Sequence, residues 1–403
     1  MAAPVADSYS CASGGTISGG INTPPSWRPD AGTFANISLN TLDSVKPSGW
    51  PSNDIGGPFA NWSGGVYAEQ FSALGALAIH GSGHLSNGMP LWAGNWLFDL
   101  STQLWVGRNV PAAPLLEGGA TNAYGESTVT ETLGHTYPPH TYDGLVYQPP
   151  ASGGGSSGAM VRVFYAGSGG NNTIHKFDMS SVSNPPSRVI DNLTMNGASS
   201  SYPATAIDTD RGGFWLLTAN GVGPLKFVHF SDWSVSTYSG IEYGTYGDNS
   251  LIYIPAPFDC LVGMGRANAE NTQFDVYVCP IVAGVPQGFT KATTTGTPPS
   301  DGRSGGVWSK ILSCVVAYEA GGSYNVHRLT PPTGSLTAGT WAWTHESLTG
   351  VSGATPSQAI NPNNALPFNN GGWSRFIEVP KARCFVWCEG LTQPVQAWRL
   401  AGM

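Results

Sequence analysis

The stretch Ala78–Trp105, AIHGSGHLSNGMPLWAGNWLFDLSTQLW, decides how the chain is read. It opens with the end of an apolar run and two histidines four apart, His80 and His84. It closes with a second apolar run, NWLFDL, and an isolated tryptophan. Read alone, the histidine pair suggests metal ligands. Read against the rest of the chain, the same residues are one unit of a repeated β-architecture.

The apolar run that leads into glycine recurs six times. It appears as GALAIHG (75–81), VRVFYAG (161–167), GFWLLTANG (213–221), CLVGMG (260–265), CVVAYEAG (314–321) and CFVWCEG (384–390). Three of the six open with cysteine at the corresponding place. Each is preceded by another strand-like run, such as GGVYAEQF or GGVWSKI, and followed by a third, such as NWLFDLST, TIHKFDMS or YNVHRLTP. A fourth, more polar run follows in five units, including TQLWVGR, GFTKATTT and TWAWTHES. The sixth unit stops at Met403 without one. The alternating run TFANISLN (33–40) lies before the first unit and is free to supply it.

Four antiparallel strands repeated about an axis make a β-propeller. The expectation is therefore an all-β propeller of six four-stranded blades, with a seventh if 106–140 holds a degenerate unit. An N-terminal strand closes the ring and removes an open sheet edge. The expected blades span about 64–108, 141–193, 201–240, 248–296, 305–348 and 371–403. Residues 33–40 form the closing strand and 1–32 an extended arm that is disordered or docks on a neighbouring subunit.

Composition agrees with this class. Glycine (54 of 403 residues) and tryptophan (14) are abundant, and only 10% of residues are charged, against about 25% ordinarily. Glycine, proline, serine and threonine interrupt every window long enough for an amphipathic helix. The formal net charge of −8 excludes a broad phosphate-binding face. No apolar run approaches the roughly 20 residues of a membrane span. The N-terminus has neither the basic nor the apolar region of a signal peptide. The six cysteines have no zinc-ligand spacing and read as buried thiols, with Cys384 and Cys388 on one strand face.

AIHGSGH…NWLFDLSTQLW resembles a kelch repeat: an apolar strand, glycines, a spacer, an hhFD strand and an outer-strand tryptophan. RVFYAGSGG…IHKFDMSS is similar, with the double glycine at Gly169 and Gly170. The resemblance covers most of 64–403 as architecture and blades one and two at motif level. It also brings in the copper-radical oxidases related to galactose oxidase, which use a kelch propeller. That family uses two copper-binding tyrosines, one crosslinked to cysteine, and two histidines, one of them in a further C-terminal domain. No copy of the crosslink motif surrounds Cys260, Cys279 or Cys314, and the chain ends with its last blade, so this activity is not expected.

In such a fold the loops between strands two and three share a face with the inter-blade loops and converge on one mouth. The candidate binding residues on that face are His80, His84, Trp92, Trp96, His135, His140, Arg266, Asp301, Arg303, Glu319 and Glu389. His135 and His140 could bring four imidazoles together near blade one. Loop spacing does not fix metal geometry, so no metal and no other cofactor is expected. Trp92 and Trp96 suit stacking on a sugar face, whereas Trp105 and Trp341 read as packing between blades. DTDRGGFW (208–215) reads as a hairpin turn and not a calcium loop. No HExxH or Walker motif occurs.

The expected role is non-enzymatic. It is a virion-associated structural or decoration protein, or a host-surface glycan binder, made without a signal peptide and sited on a virion or extracellular surface. Absence of catalytic motifs and the lysine-poor, Gly/Ser/Thr-rich composition resemble virion proteins of tailed bacteriophages. Its partners would be other virion or surface proteins, engaged through the N-terminal arm in an oligomeric assembly, or a glycan, and not nucleic acid or membrane. The alternative is an exported glycan-binding or glycan-processing protein.

Overall fold

The computed structural model describes residues 23–49, 59, 64–80, 90–91, 94–110, 115–116, 143–164, 172–182, 184, 186–193, 203–217, 224–241, 250–266, 274–300, 305–318, 323–356 and 375–403. These form a six-bladed β-propeller. Blade 1 comprises Gly65–Ala68, Ala76–His80, Asn95–Asp99 and Leu104–Arg108, paired in that order and all antiparallel. Blades 2 and 3 repeat the pattern from Leu145 to Leu193 and from Ala204 to Tyr238. The first strands of successive blades (Gly65–Ala68, Leu145–Gln148, Ala204–Asp208, Ser250–Ile254, Gly306–Ser309 and Ile377–Val379) contact one another in a closed ring around the axis. The ring closes with six members. Between blades 1 and 2 the described chain adds only Leu115–Leu116, paired with Pro90–Leu91, and no seventh blade.

Blade 6 is assembled from both ends of the sequence. Ile377–Val379, Cys384–Trp387 and Gln396–Arg399 are completed by Thr33–Asn36, which runs antiparallel to Gln396–Arg399. Phe34 stacks on Trp398 within this joint, with ring centroids 4.1 Å apart and planes 8° apart. Gln396 Nε2 donates to Asn36 Oδ1 at 2.8 Å.

Two outer edges receive an extra strand from the preceding connection. Thr293–Thr295 pairs in parallel with the outer strand of blade 5, and Thr349–Gly350 pairs in parallel with the closing strand. The run expected as the fourth strand of blade 4 is therefore divided. Thr290–Lys291 stays on blade 4, while Thr293–Thr295 crosses to blade 5. Both pieces are polar and exposed, so no buried face fixes which sheet they join.

Strand alternation explains the packing. Each second strand turns one set of side chains to the preceding blade and the other to the following one, so both faces are apolar. In blade 1, Leu77 and Ile79 pack on blade 6, whereas Ala76 and Ala78 pack on blade 2. In blade 6, Cys384, Val386 and Cys388 face blade 1, and Phe385 and Trp387 face blade 5. Six buried clusters result, one per joint between blades. Cys260, Cys314 and Cys384 open their second strands opposite Ile254, Ser309 and Val379, at one shared ladder position. With Cys279 and Cys388 they are buried free thiols. Cys11 lies outside the described residues.

The described part of the N-terminal arm packs on its own propeller. Trp27 Nε1–H donates to Leu100 O at 3.1 Å, and beyond the closing strand Asn40 Oδ1 accepts from Trp105 N at 2.8 Å on the outer edge of blade 1. Residues 1–22 lie outside the described residues, and with them the docking expected there. The DTDRGGFW segment is a hairpin turn, in which Arg211 donates to Asp208 and bidentately to Asp259.

Candidate functional site

The top of the propeller is the end where second strands finish and first and third strands begin. Most buried polar side chains of the described residues gather there, among them His80, Asn95, Arg162, His175, Arg375 and Glu389. Polar groups shut away from water cost free energy unless hydrogen bonded, so their bonding defines the site.

The joint between blades 1 and 2 is apolar in one half and polar in the other. Ala76, Ala78 and Leu97 meet Leu145, Met160 and Phe177 in the apolar half. His80 continues the Ala76–Ala78 face, and Asn95 pairs opposite it. Arg162 and His175 are a facing pair on blade 2. Arg162 Nη1 donates to His80 Nε2. A guanidinium has no acceptor, so Nε2 carries the lone pair and Nδ1 the proton. His80 Nδ1–H then donates to Asn95 Oδ1 at 2.7 Å. Asn95 Nδ2 donates to Asn109 Oδ1 at 2.9 Å, and Asn109 Nδ2 donates to the carbonyls of Asp178 (3.2 Å) and Asn184 (2.9 Å). The chain has one direction, from a cation to backbone carbonyls, and ties the two blades together. Asn109 adopts a positive φ of 52°, a conformation that asparagine tolerates better than most residues.

Arg162 is 0% exposed. Its guanidinium lies 5.7 Å from the Phe177 ring centroid, and burial pulls its pKa down to about 9. Arg375, also fully buried, begins blade 6 between two rings, 5.3 Å from Trp387 and 5.8 Å from Phe59. Its pKa is lowered by burial, against an opposing pull from Glu389. Gly65 leaves room beside it: a Cβ there would lie 3.0 Å from Arg375 Cγ and 3.1 Å from its Cα.

Across the axis, Asp143 joins three blades. Its carbonyl accepts from Thr205 N (3.0 Å) and Thr205 Oγ1 (2.6 Å) on blade 3, and its Oδ2 accepts from Leu251 N (2.9 Å) on blade 4. The first strands of blades 2, 3 and 4 are thus tied together at the top.

Several sequence expectations change. His80 is at the end of the second strand as read, but it is buried and engaged with Arg162 and Asn95. Trp96 does not present a ring for stacking. It is 1% exposed and packs with Phe98 on the face turned to blade 6, because alternation sets it opposite Ile79. Glu389 is buried near Arg375 and is not a rim residue. Arg266 ends the second strand of blade 4, and its side chain lies outside the described set. His84, Trp92, His135, His140, Asp301, Arg303 and Glu319 lie outside the described residues. Among the described residues no group of three or more His, Cys, Asp and Glu gathers as a metal site, and no helix is long and apolar enough to cross a membrane. Arg162, Asn95, Asn109 and Arg375 were missed from sequence. Arg162 carries a signal, a cation inside an otherwise apolar strand.

No protein-family model matches the chain, and no curated protein matches it. Solved structures resemble it in fold. An α-L-arabinanase of Penicillium chrysogenum complexed with arabinobiose is 12% identical, over 92% of this chain and 98% of that one, with a TM-score of 0.48. An auxiliary nutrient binding protein of Bacteroides thetaiotaomicron is 9% identical, over 90% and 75%, with a TM-score of 0.46. A fungal alcohol oxidase of the AA5 family, in complex with copper, is 8% identical, over 85% and 76%, with a TM-score of 0.38. Likeness at this level carries no inference about activity or ligand.

Proposed function

We propose that this chain is a non-enzymatic binding propeller whose top end recognises a glycan. One observation carries the reading: buried, directionally bonded polar side chains concentrate at that end among the described residues. Recognition of a hydroxyl-rich ligand calls for such firmly bonded polar groups beneath its site. Trp92 is the ring assigned to sugar stacking, since Trp96 is buried. We read the repeat as kelch-like. In blades 1 and 2 the FD pair ends the third strand, and Asp99 and Asp178 accept from Ser101 N and Ser180 N, each at 2.9 Å. The motif thus serves as an Asx turn into the outer strand.

A second role, display on a virion or extracellular surface, is favoured by the composition: 10% charged residues, 17 Lys and Arg in all, and abundant glycine. It is compatible with glycan recognition. A glycan array probed with the native chain and with Trp92→Ala tests the binding role. The expected result is a defined glycan class bound by the native chain and lost in the variant. Sedimentation of the native protein with particles, or its recovery free, tests the virion role.

A further inference from the structure

The outer half of blade 5 holds two histidines that take no part in the top-end network. His327 lies on the third strand, Asn325–Thr330, and His345 on the fourth, Thr340–Ser347. The ladder sets them directly opposite each other, where Cβ atoms stand about 4.5–5.5 Å apart. Their ring centroids are 5.8 Å apart and their planes 39° apart. On the same sheet face the neighbouring pairs are Asn325 with Ser347 and Leu329 with Trp343. Strand alternation sends Arg328 and Glu346 to the opposite face, where they form an ion pair with each other. The ladder column of the histidines therefore carries no charged side chain to repel or capture a cation.

His327 is oriented for ligation. It is 3% exposed, and its ring meets Trp343 edge to face at 6.4 Å. Its Nδ1 lies 3.2 Å from the carbonyl oxygen of Thr297, on the connection from blade 4. A carbonyl only accepts, so Nδ1 carries the proton and Nε2 carries the lone pair. A backbone carbonyl behind one ring nitrogen is the arrangement that fixes the tautomer of a metal-binding imidazole. His345 is exposed, so its ring turns at little cost and the pair is open to solvent on that side.

We propose that His327 and His345 form a two-imidazole site for a divalent transition-metal ion, with water in the remaining positions. The spacing suits one ion. With a metal–nitrogen distance of ~2.1 Å, each ring centroid stands ~3.2 Å from the metal, and two rings at a tetrahedral angle are ~5 Å apart. Closing 5.8 Å to that separation needs a small turn of the exposed His345 ring. Imidazole nitrogen selects nickel, copper and zinc, whereas magnesium and calcium prefer oxygen. The ion spans the two outer strands of blade 5. Through the Thr297 carbonyl it also steadies the connection from blade 4. The paired geometry exists in the folded sheet and not in the unfolded chain, so the ion stabilises the fold by mass action.

The test titrates Ni(II) into the full native chain and into His345→Ala by calorimetry, with thermal melting in parallel. The exposed His345 is replaceable without loss of fold, which melting in EDTA checks. The native chain is expected to take up one ion that the variant binds at least tenfold more weakly, and to melt higher with Ni(II) by a margin that the variant lacks. The other histidines are common to both proteins and cancel in the difference. Proton NMR should show the imidazole signals of His327 and His345 broadened together as Ni(II) is added. Equal uptake and an equal melting shift in the two proteins overturn the site. So does an equal stabilisation of the native chain by Mg(II), which would mark a general charge effect.

Discussion

His80 of blade 1 accepts a hydrogen bond from Arg162 of blade 2, and this contact fixes the imidazole as the Nδ1–H tautomer that donates to Asn95. One interaction therefore sets a protonation state and joins two blades. His80→Ala leaves a buried guanidinium and a buried amide short of a partner. A loss of about 3 kcal/mol is expected, measured by urea denaturation. Asn95→Ala should cost less, and the double variant should fall well short of the sum, because both substitutions break the same chain. Additive losses would show that the bonds act independently.

Phe34→Ala tests the closure. The ring is fully buried and stacked on Trp398. Truncation should cost about 3–5 kcal/mol and expose the edge of Gln396–Arg399. Light scattering on heating should show earlier association than in the native chain, since an open edge invites strand addition.

Glycine substitutions separate two kinds of close approach. In Gly213→Ala the new Cβ would lie 2.2 Å from Val228 O, a backbone atom that cannot step aside. Folding should fail or be weakened severely. In Gly65→Ala the Cβ meets Arg375 at 3.0 Å. The expected loss is about 1–3 kcal/mol, with the Arg375–Trp387 contact disturbed, read from thermal melting and tryptophan fluorescence.

Thiol reactivity follows from burial. Cys260, Cys279, Cys314, Cys384 and Cys388 are buried, and desolvation raises the pKa of each. A Cys11→Ser variant should show no rapidly reacting thiol toward Ellman's reagent when folded and five in denaturant. Rapid labelling of any of the five in the native state would contradict their placement.

The fold was legible because its repeat is carried by buried side chains with little freedom. Cys260, Cys314 and Cys384 align in the sequence since they occupy one ladder position, and TFANISLN reads as a closing strand since the sixth unit lacks its fourth. The outer strands were harder. Thr293–Thr295 is exposed and polar, and only tertiary contact assigns it to blade 5. At the site, His80 was placed correctly at a strand end, but its partner lies 82 residues away, a contact that no local pattern encodes. Trp96 was misread because its neighbours Asn95 and Gly94 suggest a loop, whereas the parity that pairs it with Ile79 buries it.

The central claim, glycan recognition at the top end, is tested most directly by titration calorimetry with the strongest glycan from the array. The native chain is compared with Trp92→Ala and with Lys381→Ala at the bottom, where Lys381 Nζ donates to the Ala73 carbonyl of the exposed hairpin. The account predicts binding by the native chain and Lys381→Ala and its loss in Trp92→Ala, with all three melting alike. Undiminished binding by Trp92→Ala, or no glycan bound by the native chain, would contradict it.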